Sequence, residues 1–428
     1  MKHSGVFLLL LLLAGTSYTQ ALQNIINVQE VRRVETALSA DSMLGRRTFS
    51  PGSEKAARFI AKEFKNAGLQ HLSGLNTFHQ SFVVVKPKLV SISAVFNGSA
   101  IDTDKVMAIT SLPDLKLTPA AGFEKATIDA GANLFEKASD LIGKGKNLIV
   151  FVDTIFSKNF RRLQFFKQNL LKTDKSVVFV LGSYSADNYE ITAKHEITEM
   201  TATNVIGILP GKSKKQEFVI FSGHYDHLGV GKAVDNDSIY NGANDDASGI
   251  TAVITAARYF KSLQNNERTL VFAAFVAEEI GGFGAKYFSS QISPEKVVAM
   301  FNIEMIGTES KWGKNSGYIT GYDKSNLGEI LQKNLKGSAF TFHPDPYISE
   351  NLFYRSDNAT LARLGVPAHT ISTSKMDNEP NYHKVSDEIS TLDLSNMTEI
   401  IKSIVLSAKT IVNGKDTPTR VKAEDLTQ

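Results

Sequence analysis

The stretch 217–226, EFVIFSGHYD, reads as an apolar strand that runs out into a glycine and then into His224 and Asp226. Residues 269–279, TLVFAAFVAEE, repeat the pattern and end on Glu278 and Glu279, and 297–304, VVAMFNIE, ends on Glu304. Apolar runs without polar alternation suit strands covered on both faces, as in a parallel sheet between helical layers. A shorter run at 368–372 and an entry strand at 204–209 join them, and 3.6-residue periodicity places helices at 247–263, 283–289, 327–335 and 393–412. The fold class expected is therefore α/β, with a mostly parallel central sheet flanked by helices. In such sheets ligand groups collect beyond the carboxyl ends of the strands, where these acids and this histidine stand.

Upstream, residues 53–68 carry Ala56, Ala57, Phe59, Ile60, Phe64 and Ala67 on one helical face, closed by Gly68. Residues 81–200 differ in character. Strand-like stretches at 82–85, 89–96, 147–152 and 176–181, with helices at 133–142 and 160–171, indicate an inserted smaller α+β domain with few chemically active groups. The expected division is a signal peptide at 1–21, a main α/β domain at 22–80 and 201–428, and the insert at 81–200 between them. Residues 6–13 form an unbroken apolar run behind Lys2, too short to span a bilayer, which suits a cleaved export signal and a periplasmic or extracellular mature chain.

The chain has no cysteine, so disulfides and thiolate metal sites are both excluded. With 47 basic and 44 acidic residues its net charge is +3, and its basic runs are short; no nucleic acid is expected as a partner. No second apolar segment suits a membrane span after signal cleavage.

The chemistry concentrates in five places. His224 follows a strand; Asp245 lies in the polar turn Asn241-Gly242-Ala243-Asn244-Asp245-Asp246-Ala247-Ser248-Gly249 before a helix; Glu279 and Glu304 follow strands; His383 lies in Asn381-Tyr382-His383. Imidazoles and carboxylates without thiolates form the donor set of a hydrolytic zinc site. A carboxylate at the end of a buried strand is strongly unfavourable unless it is paired, and a metal ion is such a partner.

These segments resemble the metal motifs of the M28 peptidase family, in the family's order, over about residues 200–412, with further likeness at Gly45-Arg46 and 50–68. The resemblance implies a zinc exopeptidase-like fold and two zinc ions per chain. Asp245 would bridge them, His224 and Glu304 would complete one site, and Glu279 and His383 the other. It implies Glu278 as general base toward a water or hydroxide held between the ions, and peptides as substrates. Asp226 reads either as an imidazole partner or as a turn cap, and Asp387 as a partner of His383. Tyr382 reads as a substrate hydrogen-bond donor or as packing. Arg355 reads as a substrate-binding cation or as a surface residue beside a helix. The insert resembles a protease-associated domain. Glu304 stands where Asp is more usual in the family, Asn358 where His is, and Lys384 where Thr is. The resemblance favours a secreted aminopeptidase. A carboxypeptidase or glutaminyl cyclase-like reaction on the same fold, and a non-catalytic binding protein, are the alternatives.

Overall fold

The computed structural model describes residues 22–184 and 187–426, and the export signal expected at 1–21 lies outside them. The chain folds as two compact units, one made by the residues up to Ser81 together with those from Ala202 onward, the other by Phe82–Thr201. Among the described residues no helix is long and apolar enough to cross a membrane.

The central sheet of the first unit includes β1 (Tyr189–Leu209, of which 202–209 lie in this unit), β2 (Lys214–His224), β3 (Arg268–Phe275), β4 (Val297–Ile303), β5 (Ser316–Ile319), β6 (Thr341–Pro344) and β7 (Ala368–Ser372). They are ordered β6-β5-β7-β4-β2-β3-β1. The inner four, β7-β4-β2-β3, are mutually parallel, whereas β1 joins β3 and β5 joins β7 antiparallel. The sheet is thus parallel at its centre and mixed at its margins. Every residue of β3, β4 and β7 is buried, and the apolar stretches 270–275 and 297–301 are the part of that burial visible in the sequence. Helices α1 (Val28–Leu38), α2 (Pro51–Asn66), α3 (Ser248–Leu263), α4 (Phe283–Gln291) and α5 (Leu394–Ser407) belong to the same unit.

Register aligns the strand ends. Phe221 on β2 pairs with Phe272 on β3 and with Phe301 on β4, and their rings stack at 5.7 and 4.9 Å between centroids. Phe260 of α3 closes over Phe221 at 5.2 Å. Three residues beyond Phe221 the chain reaches His224, and the two flanking strands terminate at comparable depth, just before Glu278-Glu279 and Glu304. A rigid aromatic row therefore fixes the height from which three functional groups project.

In the second unit, strands Val106–Thr110, Ser176–Leu181, Leu148–Val152 and Glu124–Ile128 form a four-stranded sheet in that order, antiparallel in the first pair and parallel in the others. Helix Leu134–Gly143 packs on it, with Ala138 and Leu141 in the core. Two expectations change here. The helix expected at 160–171 is a 3₁₀ segment, Phe160–Lys167, followed by the short strand Leu170–Leu171. Only Phe160 and Leu163 are buried, a three-residue spacing that the tighter helix serves. The stretches 82–85 and 89–96 are one strand, His79–Phe96, which continues through Pro87. Proline's fixed φ is compatible with extended backbone wherever its missing N–H is not needed.

Candidate metal centre

The site grows from strand ends. His224 is the last residue of β2 and is buried. Its Nδ1 lies 3.1 Å from the backbone carbonyl of Asp226, to which it donates, so Nε2 is the nitrogen turned toward the other donors. Nε2 faces Asp245 Oδ1 at 3.2 Å and Glu304 Oε1 at 4.0 Å. On the far side of Asp245, Oδ2 lies 3.2 Å from His383 Nε2, which is also 3.2 Å from Glu279 Oε2. Asp245 thus has one oxygen toward each of two clusters. His224, Asp245 and Glu304 form the first, and donor atoms from Asp245 and Glu279 join those of a residue not anticipated from the sequence, His227, in the second. Within each cluster these atoms lie within 4.8 Å of one another.

The backbone around these side chains is tightly specified. Asp246, fully buried, accepts the N–H groups of His224 (3.1 Å), Gly249 (3.0 Å) and Met305 (3.1 Å), so one carboxylate ties the ends of β2 and β4 to the start of α3. Gly249 is required there: a Cβ would sit 2.1 Å from the Ile303 carbonyl oxygen. Arg46 is fully buried, and its guanidinium donates to the carbonyls of Tyr225, Leu38, Asn241 and Gly242. It therefore clamps the loop after His224 to the turn before Asp245. Glycine at 45 allows this approach: its φ is +61°, and a Cβ would meet Tyr240 O at 2.5 Å.

Two expected partners act differently from the sequence reading. The Asp226 carboxylate does not hold an imidazole; its nearest oxygen is 3.9 Å from His224 Nδ1. It accepts instead from Thr48 Oγ1 at 2.7 Å and from the backbone N–H of Glu278 at 3.1 Å, orienting the segment that carries Glu278. The partner of the His224 ring is the Asp226 carbonyl rather than the Asp226 carboxylate. Asp387 accepts the backbone N–H groups of Asn244 and Asp245 at 2.8 and 3.0 Å, so it positions Asp245 rather than His383.

Glu278 is pushed well above the ordinary carboxylate range, first by burial and then by the negative charges of Glu304, Asp357 and Glu279, with His224 opposing. Burial and the charges of Glu304 and Asp226, again against His224, raise Asp357 to about 7. Tyr382 stacks on His383 at 3.9 Å between ring centroids. Arg355 is exposed and pairs with Glu350 at 3.3 Å. Asn358 is buried; it donates to the Phe353 and Ala368 carbonyls and accepts from Thr370, a structural role. Imidazole and carboxylate donors at these spacings, without thiolates, fit zinc.

A family model described as peptidase family M28 matches residues 204–408, which contain every one of these donors. The match takes in just under half of the chain. The chain is 26% identical over 254 residues to a vacuolar membrane protease of Schizosaccharomyces pombe, covering 58% of this chain and 28% of that protein. It is 29% identical over 157 residues to aminopeptidase YwaD of Bacillus subtilis, covering 34% of this chain and 32% of that protein. The matched stretches thus span under a third of the length of either relative. A solved zinc aminopeptidase from Bacillus subtilis shares the fold, with a TM-score of 0.55 and 18% identity over 94% of this chain and 98% of that one.

His227 is legible in the sequence only as the residue after Asp226. One step beyond a turn, no periodicity assigns its direction. What brings it to the site is the Arg46 clamp and the left-handed Gly242, neither of which is readable from spacing.

Proposed function

We propose that this chain is an exported aminopeptidase that uses two zinc ions and removes N-terminal residues from peptides. The observation that carries the reading is Asp245, which offers one oxygen to each of two donor clusters, His224 with Glu304 and Glu279 with His383. When bound there, zinc supplies Lewis-acid polarisation of the scissile carbonyl and makes a water acidic enough to attack near neutrality. Every other step belongs to the chain. Glu278 takes a proton from the attacking water as the new C–O bond forms, holds it on a carboxyl whose proton affinity is raised, and gives it to the amine nitrogen as the C–N bond breaks. Asp226 holds the Glu278 backbone in place for this shuttle. The excess of carboxylates around the site suits the protonated α-amine of a substrate.

The carboxypeptidase alternative draws less support, because it needs a cation free to bind the substrate carboxylate, and Arg355 is paired with Glu350. A single-zinc cyclase or a non-catalytic protein has no use for two clusters around one aspartate. Export rests on the apolar run at 6–13, and the unit at 82–201 is taken as a protease-associated insert.

The test is a panel of aminoacyl reporters assayed with wild-type protein and Glu278→Gln, with and without chelator. The reading expects chelator-sensitive hydrolysis by wild type. Glu278→Gln should retain its metal but lose turnover by about 10²–10⁴-fold, the contribution of a positioned acid–base group. Hydrolysis that survives chelator, or substantial turnover in Glu278→Gln, refutes it.

A further inference from the structure

We infer that His227 is a direct donor to the second cluster, so that the ion there is held by His227 Nδ1, His383 Nε2, Glu279 and Asp245. The inference rests on the two-ion reading above. The His227 side chain is fully buried, and its Nδ1 faces only carboxylate oxygens, Glu279 Oε1 at 2.8 Å and Asp245 Oδ2 at 3.8 Å. His383 Nε2 completes the ring of donors at 3.2 Å from both acids. Metal–nitrogen and metal–oxygen bonds of about 2.0–2.1 Å in a tetrahedron place neighbouring donors about 3.3 Å apart, and the four separations bracket that value. Glu279 divides its two oxygens between the imidazoles, and the rings of His227 and His383 stand nearly perpendicular at 68° and 5.7 Å, splayed about a common point.

The ring is also held in this orientation. Gly242 adopts a left-handed conformation, and a Cβ there would lie 2.5 Å from His227 Cγ, so glycine leaves room for the imidazole. A histidine serving only as a hydrogen-bond donor to Glu279 has no need of the Asp245 oxygen converging on the same nitrogen.

The consequence is an asymmetric pair. The second cluster has four protein donors, two of them imidazoles, whereas the first has His224, Asp245 and Glu304 and therefore keeps an open position. The second cluster should retain its ion longer under chelation, and exchange and substrate contact fall to the first.

The experiment titrates metal-free full-length chain with cobalt(II) chloride and with zinc chloride, for wild type, His227→Ala and His227→Asn. Asparagine keeps an N–H near the Nδ1 position and so preserves a hydrogen bond to Glu279 without supplying an imidazole ligand. The inference expects two binding steps in wild type. Both variants should lose affinity in the tighter step by about 100-fold or more, beyond the 10–100-fold that removal of an orienting partner costs, and should change its cobalt absorption spectrum. Wild-type affinity and spectrum in His227→Asn would overturn it and leave His227 a positioning residue. A variant that fails to fold is bypassed by proton NMR of cobalt-loaded wild type, which should show three hyperfine-shifted imidazole N–H signals; two would overturn the inference. Binding of a single ion by wild type would instead remove the two-ion reading beneath it.

Discussion

Replacing Arg46 by methionine keeps most of the side chain's length and removes all of its donors. Four carbonyls, of Leu38, Tyr225, Asn241 and Gly242, then lose a charged partner inside the protein. Each buried acceptor left unpaired costs about 1–3 kcal/mol, and water entering the vacated space recovers part of that. Taking about 1 kcal/mol for each of the four gives a loss of about 4 kcal/mol. For a unit of this size that corresponds to a fall in melting temperature of about 8 °C, at about 2 °C per kcal/mol. Arg46→Lys retains the charge and reaches one or two of the carbonyls, so about half of the loss should remain. Thermal unfolding should be followed in excess chelator, because bound metal stabilises the folded state by mass action and would mask the change. Zinc affinity should fall in parallel, since the clamp joins the segments that carry His224 and Asp245. If Arg46→Met melts within about 2 °C of wild type in chelator, the clamp argument fails.

Phe221→Ala removes the central ring of the Phe272–Phe221–Phe301 row and should destabilise the chain by about 3–5 kcal/mol in urea unfolding, while Phe221→Leu should cost clearly less. Gly249→Ala drives a methyl group into the Ile303 carbonyl and the Asp246 carboxylate, and should weaken zinc binding in a chelator-competition titration even where the variant folds. His369 is fully buried, and burial lowers its pKa from 6.5 to about 4 despite the Thr320 carbonyl at 2.8 Å. The folded chain stays neutral at this position while the unfolded chain takes up a proton. The associated stability is therefore complete above pH 6.5 and drains away as pH falls toward 4, by about 3 kcal/mol. His369→Gln should flatten that part of the stability profile, and an unchanged slope between pH 6.5 and 4 would contradict the assignment.

The inner strands are legible where burial on both faces leaves an apolar signature, as at 270–275 and 297–301, and the expected strands 297–303 and 368–372 coincide with those formed. The convergence of His224, Glu279 and Glu304 follows from the rule that parallel strands end together, whereas Asp245 and His383 arrive on connecting segments. What stays hidden depends on contacts between distant segments. Arg46 lies 179 residues from Tyr225 and 196 from Gly242, and a lone arginine after a glycine carries no sign that it will be buried. Spacing puts Asp226 in the right neighbourhood but with the wrong partner, since it does not distinguish a residue's carbonyl from its carboxylate. The antiparallel pairing of β5 with β7 is also invisible, because β5 has only four residues and pairing direction leaves no mark on so short a pattern.

The central claim is that one aspartate joins two metal sites. Full-length chain freed of metal, dialysed to equilibrium against zinc chloride and analysed for zinc per polypeptide, tests it most directly. The account predicts two zinc ions per chain in wild type, with loss of the shared site in Asp245→Asn. Saturation at one ion per chain would contradict it.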